Sequence, residues 1–89
     1  MFQGMEYVYE VYKERSFSRA ARNLYISQPS LSASIRRIEA RIGAPIFDRS
    51  TTPISLTECG EEYIACVKQI LSIQNGFENY LSDLKKKKK

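Results

Sequence analysis

The chain has 89 residues, 43% apolar and 27% charged, which is the composition of one small globular domain and excludes both a disordered segment and a two-core protein. With no histidine and two cysteines, one chain holds no histidine-containing metal site and no Ser–His or Cys–His nucleophile, and no stretch approaches the ~18 apolar residues of a membrane span. The net charge of +4 conceals a division: residues 15–49 carry seven arginines against Glu39 and Asp48, the flanks 1–14 and 50–84 are acidic, and Lys85–Lys89 adds five positive charges.

Met1–Gly4 lacks a basic segment leading into a long apolar run, so no secretory signal is expected and the expected compartment is the cytoplasm. A first helix is predicted over Met1–Lys13. Met5, Val8 and Tyr12 recur on one face with Val11 beside them, and Glu6, Glu10 and Glu14 share the other. Arg15-Ser16 breaks it. Ser18 is expected to cap a second, short helix ending at Leu24, whose small pair Ala20-Ala21 suits a close helix crossing. After the turn Tyr25-Ile26, Ser27 is expected to cap a third helix, with Pro29 in its first turn. Leu31, Ile35, Ile38 and Ile42 form its buried stripe, and Gly43 followed by Pro45 ends it.

Ile46–Thr57 changes character. Ile46-Phe47 and Ile54–Leu56 are predicted as two brief strands around a Ser50–Pro53 turn. A fourth helix is predicted from near Thr57 to Leu84, with Glu58, Glu61 and Glu62 near its positive N-terminal end. Tyr63, Val67, Ile70, Gln74, Phe77, Leu81 and Leu84 alternate at four and three, an a/d seam too long for the small domain before it to cover, so a partner helix is expected along it. Cys59 and Cys66 lie seven apart on one helix, too far for an intrachain disulfide, and are expected to be reduced packing residues. The expected fold is mainly α: a winged helix-turn-helix of three helices and a two-stranded wing over residues 1–57, a long dimerisation helix over 58–84, and a disordered lysine tail over 85–89.

Two short helices joined by a tight turn make a helix-turn-helix, whose second helix enters the DNA major groove. Outside the buried stripe, the third helix offers Gln28, Ser30, Ser32, Ala33, Ser34, Arg36 and Arg37. Glutamine can bond adenine, serine either base or phosphate, and arginine guanine or phosphate. So serine-rich an exposed face is poor for a helix alone, and close approach to a partner explains it.

The string from Ser16 to Ser50, followed by Pro53–Gly60, closely resembles the DNA-binding domain of LysR-type transcriptional regulators. Ser16-Phe17-Ser18, Ala20-Ala21, Leu24, Ser27-Gln28-Pro29, Ser32, Ile35, Ile38-Glu39, Gly43, Phe47-Asp48-Arg49, Leu56-Thr57 and Gly60 carry the resemblance. It implies a bacterial transcription regulator that binds double-stranded DNA as a homodimer through the linker helix, with higher oligomers in the full-length protein. It also implies a small-molecule effector site in a larger domain outside this chain. The DNA-binding residues it implies are Ser18, Arg19, Ser27, Gln28, Pro29, Ser30, Ser32, Ala33, Ser34, Arg36, Arg37, Arg49 and Thr52. Arg36 and Arg37 are expected on phosphates and Arg41 in a structural role; Arg49 either pins the wing or meets a phosphate. The chain departs from the family at Ala33, often arginine, at Ser34, commonly glutamine, and at Thr52, usually arginine.

No catalytic activity, cofactor, metal or membrane partner is expected. The competing reading is a winged-helix protein-interaction module that does not bind specific DNA. It draws on the charge of −1 without the lysine tail and on Thr52 in the wing. Against it stands the positive charge concentrated on the helix-turn-helix.

Overall fold

A computed structural model of the chain describes residues 1–87. Helix α1 spans Met5–Glu14, starting four residues later than the periodicity predicts. Gly4 sits at φ 82°, in the left-handed region that glycine tolerates, and this turns Phe2 back so that its ring lies 5.0 Å from that of Tyr63. Arg15, also left-handed at φ 54°, closes the helix by donating its N–H to Val11 O at 2.7 Å.

Helix α2 spans Phe17–Asn23, and Ser16, not Ser18, caps it: Ser16 Oγ accepts from Arg19 N at 3.2 Å. Capping there leaves Phe17 in the helix, where its ring meets Phe47 edge-on at 6.0 Å. Helix α3 spans Gln28–Ile42, with the expected Ser27 cap, Pro29 in the first turn and Gly43 left-handed at φ 88° beyond its end. Strands β1, Phe47–Asp48, and β2, Ser55–Leu56, pair antiparallel with Phe47 opposite Leu56 and Asp48 opposite Ser55. Each is two residues long, and β1 begins one residue after the predicted Ile46.

Helix α4 runs from Glu58 to Lys87. The expectation of disorder from residue 85 is therefore corrected for Lys85–Lys87; lysine forms helices readily and its charge suits a helix C-terminus. Lys88 and Lys89 lie outside the described residues. Thr57 starts α4, accepting from Gly60 N at 2.9 Å and donating its hydroxyl to Pro45 O at 2.6 Å.

The core joins α1 through Val8 and Val11, α2 through Ala20 and Ala21, and α3 through Leu31, Ile35 and Ile38, together with Ile46 and Phe47. Tyr63, Ile64 and Val67 complete it from α4. Each fully buried valine, leucine or isoleucine here contributes about 1.5–3 kcal/mol. Two expectations are corrected by this packing. The boundary at residue 57 does not coincide with the edge of the core, because the first turns of α4 are part of it. Tyr63 and Val67, 5% and 0% exposed, pack inside their own chain and are not open to a partner helix. Beyond Leu71 the helix leaves the core, and the molecule extends to 54 Å along its long axis. No helix among the described residues is long and apolar enough to cross a membrane.

Candidate nucleic-acid interface

The α2–turn–α3 unit is set by backbone geometry at Leu24–Ile26. Tyr25 adopts φ 59°, unusual for a residue with a Cβ. This lets Tyr25 N and Ile26 N donate to Arg22 O and Ala21 O at 3.2 and 3.1 Å, satisfying carbonyls that the end of α2 would leave free. The Tyr25 side chain is 95% exposed.

Beyond the turn, Ser27 Oγ accepts from Ser30 N at 3.2 Å and donates to Ser30 Oγ at 2.9 Å. Gln28, Pro29 and Ser30 are exposed at the start of α3. One turn on, the serines differ from the expectation of a uniformly open face. Ser32 and Ser34 are half-buried. Ser32 Oγ accepts from Arg49 Nη1 and Ser34 Oγ from Arg37 Nη2, each at 3.1 Å. The exposed outer line of α3 is Pro29, Ala33 and Arg36, since these positions lie opposite the stripe of Leu31, Ile35, Ile38 and Ile42 at 100° per residue.

The wing is held by its own short polar residues. Asp48 Oδ1 accepts from Ser50 N at 3.0 Å and from Ser50 Oγ at 2.6 Å, and these bonds hold its carboxyl below the ordinary aspartate range. Thr51 Oγ1 lies 3.0 Å from Pro53 O and 2.9 Å from Ser55 Oγ. Thr52 is exposed at the tip.

These elements enclose one open concave surface of about 560 Å³. It draws Ser18 and Arg19 from α2, Gln28 from α3, and Arg49 and Thr52 from the wing side onto a common wall. Five of the predicted site residues, spread over 35 positions of sequence, thus converge. Arg37 does not join them. It lines a separate hollow with Gln3, Tyr7 and Arg41 beside the start of α1.

Three contributors were not anticipated from sequence. Ser16 caps α2 and shares a hydrogen bond with Ser18 across 3.1 Å. Arg15, left-handed at the end of α1, also lines the concavity. Glu14 also lines it, and its carboxylate accepts from Asn23 Nδ2 at 2.9 Å. The same amide reaches Glu10 at 2.8 Å and, ahead of Lys13, holds the Glu10 carboxyl below its ordinary value.

The last turns of α4 form a second exposed feature. Ile73, Phe77 and Tyr80 are 74%, 60% and 58% exposed, with Leu81 and Leu84 beside them. Phe77 and Tyr80 stack at 6.3 Å. Ile73 and Tyr80 lie outside the a/d series read from the sequence. Together with Phe77 and Leu84 they make a stripe at 73, 77, 80 and 84, rotated from the line through Tyr63 and Val67. Cys66, expected to pack, is exposed, whereas Cys59 is half-buried.

Comparison with known proteins places this arrangement. A family model described as bacterial regulatory helix-turn-helix protein, lysR family, matches residues 2–61. The HTH-type transcriptional regulator BudR of Klebsiella aerogenes is 42% identical over 71 residues, covering 80% of this chain and 50% of BudR. BudR of Raoultella terrigena is also 42% identical over 71 residues, and there the match covers 24% of the relative. The chain thus spans a half or less of the length of these relatives. Among solved structures, the BenM DNA-binding domain in complex with benA site 1 DNA superposes with a TM-score of 0.83 at 26% identity, covering 94% of each chain.

Proposed function

The chain belongs to the LysR family of bacterial regulatory helix-turn-helix proteins and carries that family's DNA-binding domain; from this premise we propose that it is the operator-reading part of a transcription regulator acting as a homodimer on DNA in the cell interior. The observation that carries the reading is the concave surface on which Ser18, Arg19, Gln28, Arg49 and Thr52 meet. It adjoins the exposed line of Pro29, Ala33 and Arg36, and the related BenM domain is solved with DNA.

In this reading α3 enters a major groove with its N-terminus leading. Gln28 and Ser30 face base edges, and Pro29 and Ala33 offer apolar contact to thymine methyl groups. Ser27 and the Ser18–Arg19 end of α2 meet the phosphate backbone, and Arg36 reaches guanine or phosphate. Ser32 and Ser34 sit behind this line and steady Arg49 and Arg37. Arg37 approaches the backbone from the α1 side, and Thr52 brings the wing tip near the DNA without the charge of an arginine. Recognition is non-covalent and uses no cofactor.

Dimerisation through α4 uses the face of Ile73, Phe77, Tyr80, Leu81 and Leu84, with Ile70 and Gln74 at its edge. So large an apolar stripe on an exposed helix needs a cover, and a second copy supplies a matching one. Two α3 helices then read the halves of an interrupted palindrome. Residues 1–57 with the first turns of α4 form the DNA-reading unit and the rest of α4 the linker. Effector binding and higher assembly belong to the full-length protein.

The test is a mobility-shift titration of protein lacking Lys85–Lys89 on a palindromic duplex at several salt concentrations. Binding that weakens steeply with salt supports the proposal; no binding at low salt favours a protein-interaction module instead.

A further inference from the structure

We propose that Arg49 is a positioning residue, which fixes the wing against α3 and serves DNA reading through Ser32 and Glu39 instead of neutralising a phosphate itself. This rests on the DNA-reading surface proposed above.

The Arg49 guanidinium is engaged on three sides. Nη1 donates to Ser32 Oγ at 3.1 Å. Nη2 lies 3.5 Å from Glu39 Oε1. Cζ stands 4.6 Å above the centre of the Phe17 ring. One side chain following β1 thereby touches both helices of the helix-turn-helix. A planar guanidinium can stack and donate from separate nitrogens at once; an ammonium on a flexible stem cannot hold that geometry.

The other half of the clamp is Glu39. Its Oε2 accepts from Ile46 N at 2.8 Å and from Phe47 N at 3.3 Å. The carboxylate therefore holds the chain that leads from α3 into β1, and its second oxygen faces Arg49. The Glu39 side chain is only 15% exposed, so its charge is poorly screened and its attraction for the adjacent guanidinium is strengthened. A phosphate approaching Arg49 would compete with an anion already in place. Phe17, under the guanidinium, also meets Phe47 edge-on, so the stack joins α2 to β1. Arg36 differs in its partners: the ion pairs found among the described residues are those of Lys13 and Arg49.

The experiment measures binding of the full chain and the variants Arg49→Met, Arg49→Lys, Phe17→Leu and Arg49→Met/Phe17→Leu. Each is titrated across a salt series on a duplex recovered by selection and on a scrambled duplex, with helical circular dichroism as the check on folding. Arg49→Met is expected to weaken the selected complex by about tenfold and to narrow the preference over the scrambled duplex. Its slope of log K against log salt should match the parent. Arg49→Lys should bind no better than Arg49→Met. Phe17→Leu should also weaken binding, and the double variant should lose less than the product of the two single effects.

A slope shallower by about 0.9, with Lys restoring affinity, would make Arg49 a phosphate ligand and overturn the inference. Parental binding by every variant, or independent effects of Arg49→Met and Phe17→Leu, would also overturn it. If Arg49→Met fails to fold, Arg49→Lys and Phe17→Leu decide: weakened binding at the parental slope supports the clamp, and parental affinity refutes it. A parent chain that binds neither duplex refutes the DNA reading, whereas rescue by Lys refutes the positioning role alone.

Discussion

Gly60 is the position where one methyl group should do most damage. A Cβ built there would stand 2.0 Å from Ile46 O, 3.0 Å from Ile46 C and 3.1 Å from Leu56 Cδ2. Two of these atoms are backbone and cannot swing aside. The crowded carbonyl is also occupied, accepting from Thr57 N at 2.9 Å with the Thr57 hydroxyl 3.1 Å away, so any retreat loosens the start of α4. Overpacking of this kind costs about 3 kcal/mol, the upper part of the usual range. Alanine recovers up to about 1 kcal/mol of helix propensity. Gly76 supplies the control, since it lies in the same helix and a Cβ there meets nothing within 4 Å. Gly76→Ala should therefore stabilise by about 1 kcal/mol. Gly60→Ala should destabilise by about 2 kcal/mol net, or about 8–16 °C in Tm for a domain of this size. The assay is urea unfolding followed by circular dichroism, with all proteins at one protomer concentration, because dimerisation makes stability concentration-dependent. A Gly60→Ala protein as stable as the parent would mean that α4 can leave Ile46 O without loss, contrary to the close packing seen there.

Arg36→Ala should weaken binding to selected and scrambled duplexes alike and reduce the salt slope by about 1. Gln28→Ala should instead change the preferred base at one position of each half-site, by about 1–3 kcal/mol in competition titrations with operator variants. Phe77→Glu should leave the helical circular dichroism in place and weaken the dimer by about 3 kcal/mol in sedimentation equilibrium, because the introduced carboxylate would be buried without a partner. Glu10, held low chiefly by the Asn23 amide, has a folded value below its unfolded one. Its stabilisation is complete above the ordinary value of 4.5 and is lost as pH falls through the folded value. Glu10→Gln should accordingly flatten the loss of unfolding stability as pH falls below 4.5 relative to the parent.

The parts of this fold that are legible in the sequence are those set by neighbours a few positions away. Ser27 with Pro29 and Gly43 delimit α3 because capping and the left-handed turn are local chemistry. The stripe of Leu31, Ile35 and Ile38 follows from helical periodicity, and all three are buried. Ser16 and Ser18 are equivalent caps by local rules. The choice between them is made by Phe17 packing on Phe47, thirty positions away.

In α4, periodicity identifies an apolar series but not what covers it. Tyr63 and Val67 turn into their own domain, and the uncovered stripe instead includes Ile73 and Tyr80. The candidate interface divides in the same way. That Gln28, Pro29 and Arg36 are exposed follows from their place relative to the buried stripe. That Ser32 is committed to Arg49, seventeen residues on, depends on a wing whose position no local pattern specifies. The glutamate of Ile38-Glu39 reads as part of the family resemblance, and its role emerges only where the backbone of Ile46 and Phe47 returns to it.

Whether α3 reads DNA from two copies of this chain is decided by selection of bound sequences from a random duplex pool. The expected result is enrichment of an interrupted palindrome whose half-sites are separated by about one helical turn of DNA or a multiple of it. No enrichment, or enrichment of one half-site without symmetry, would contradict it.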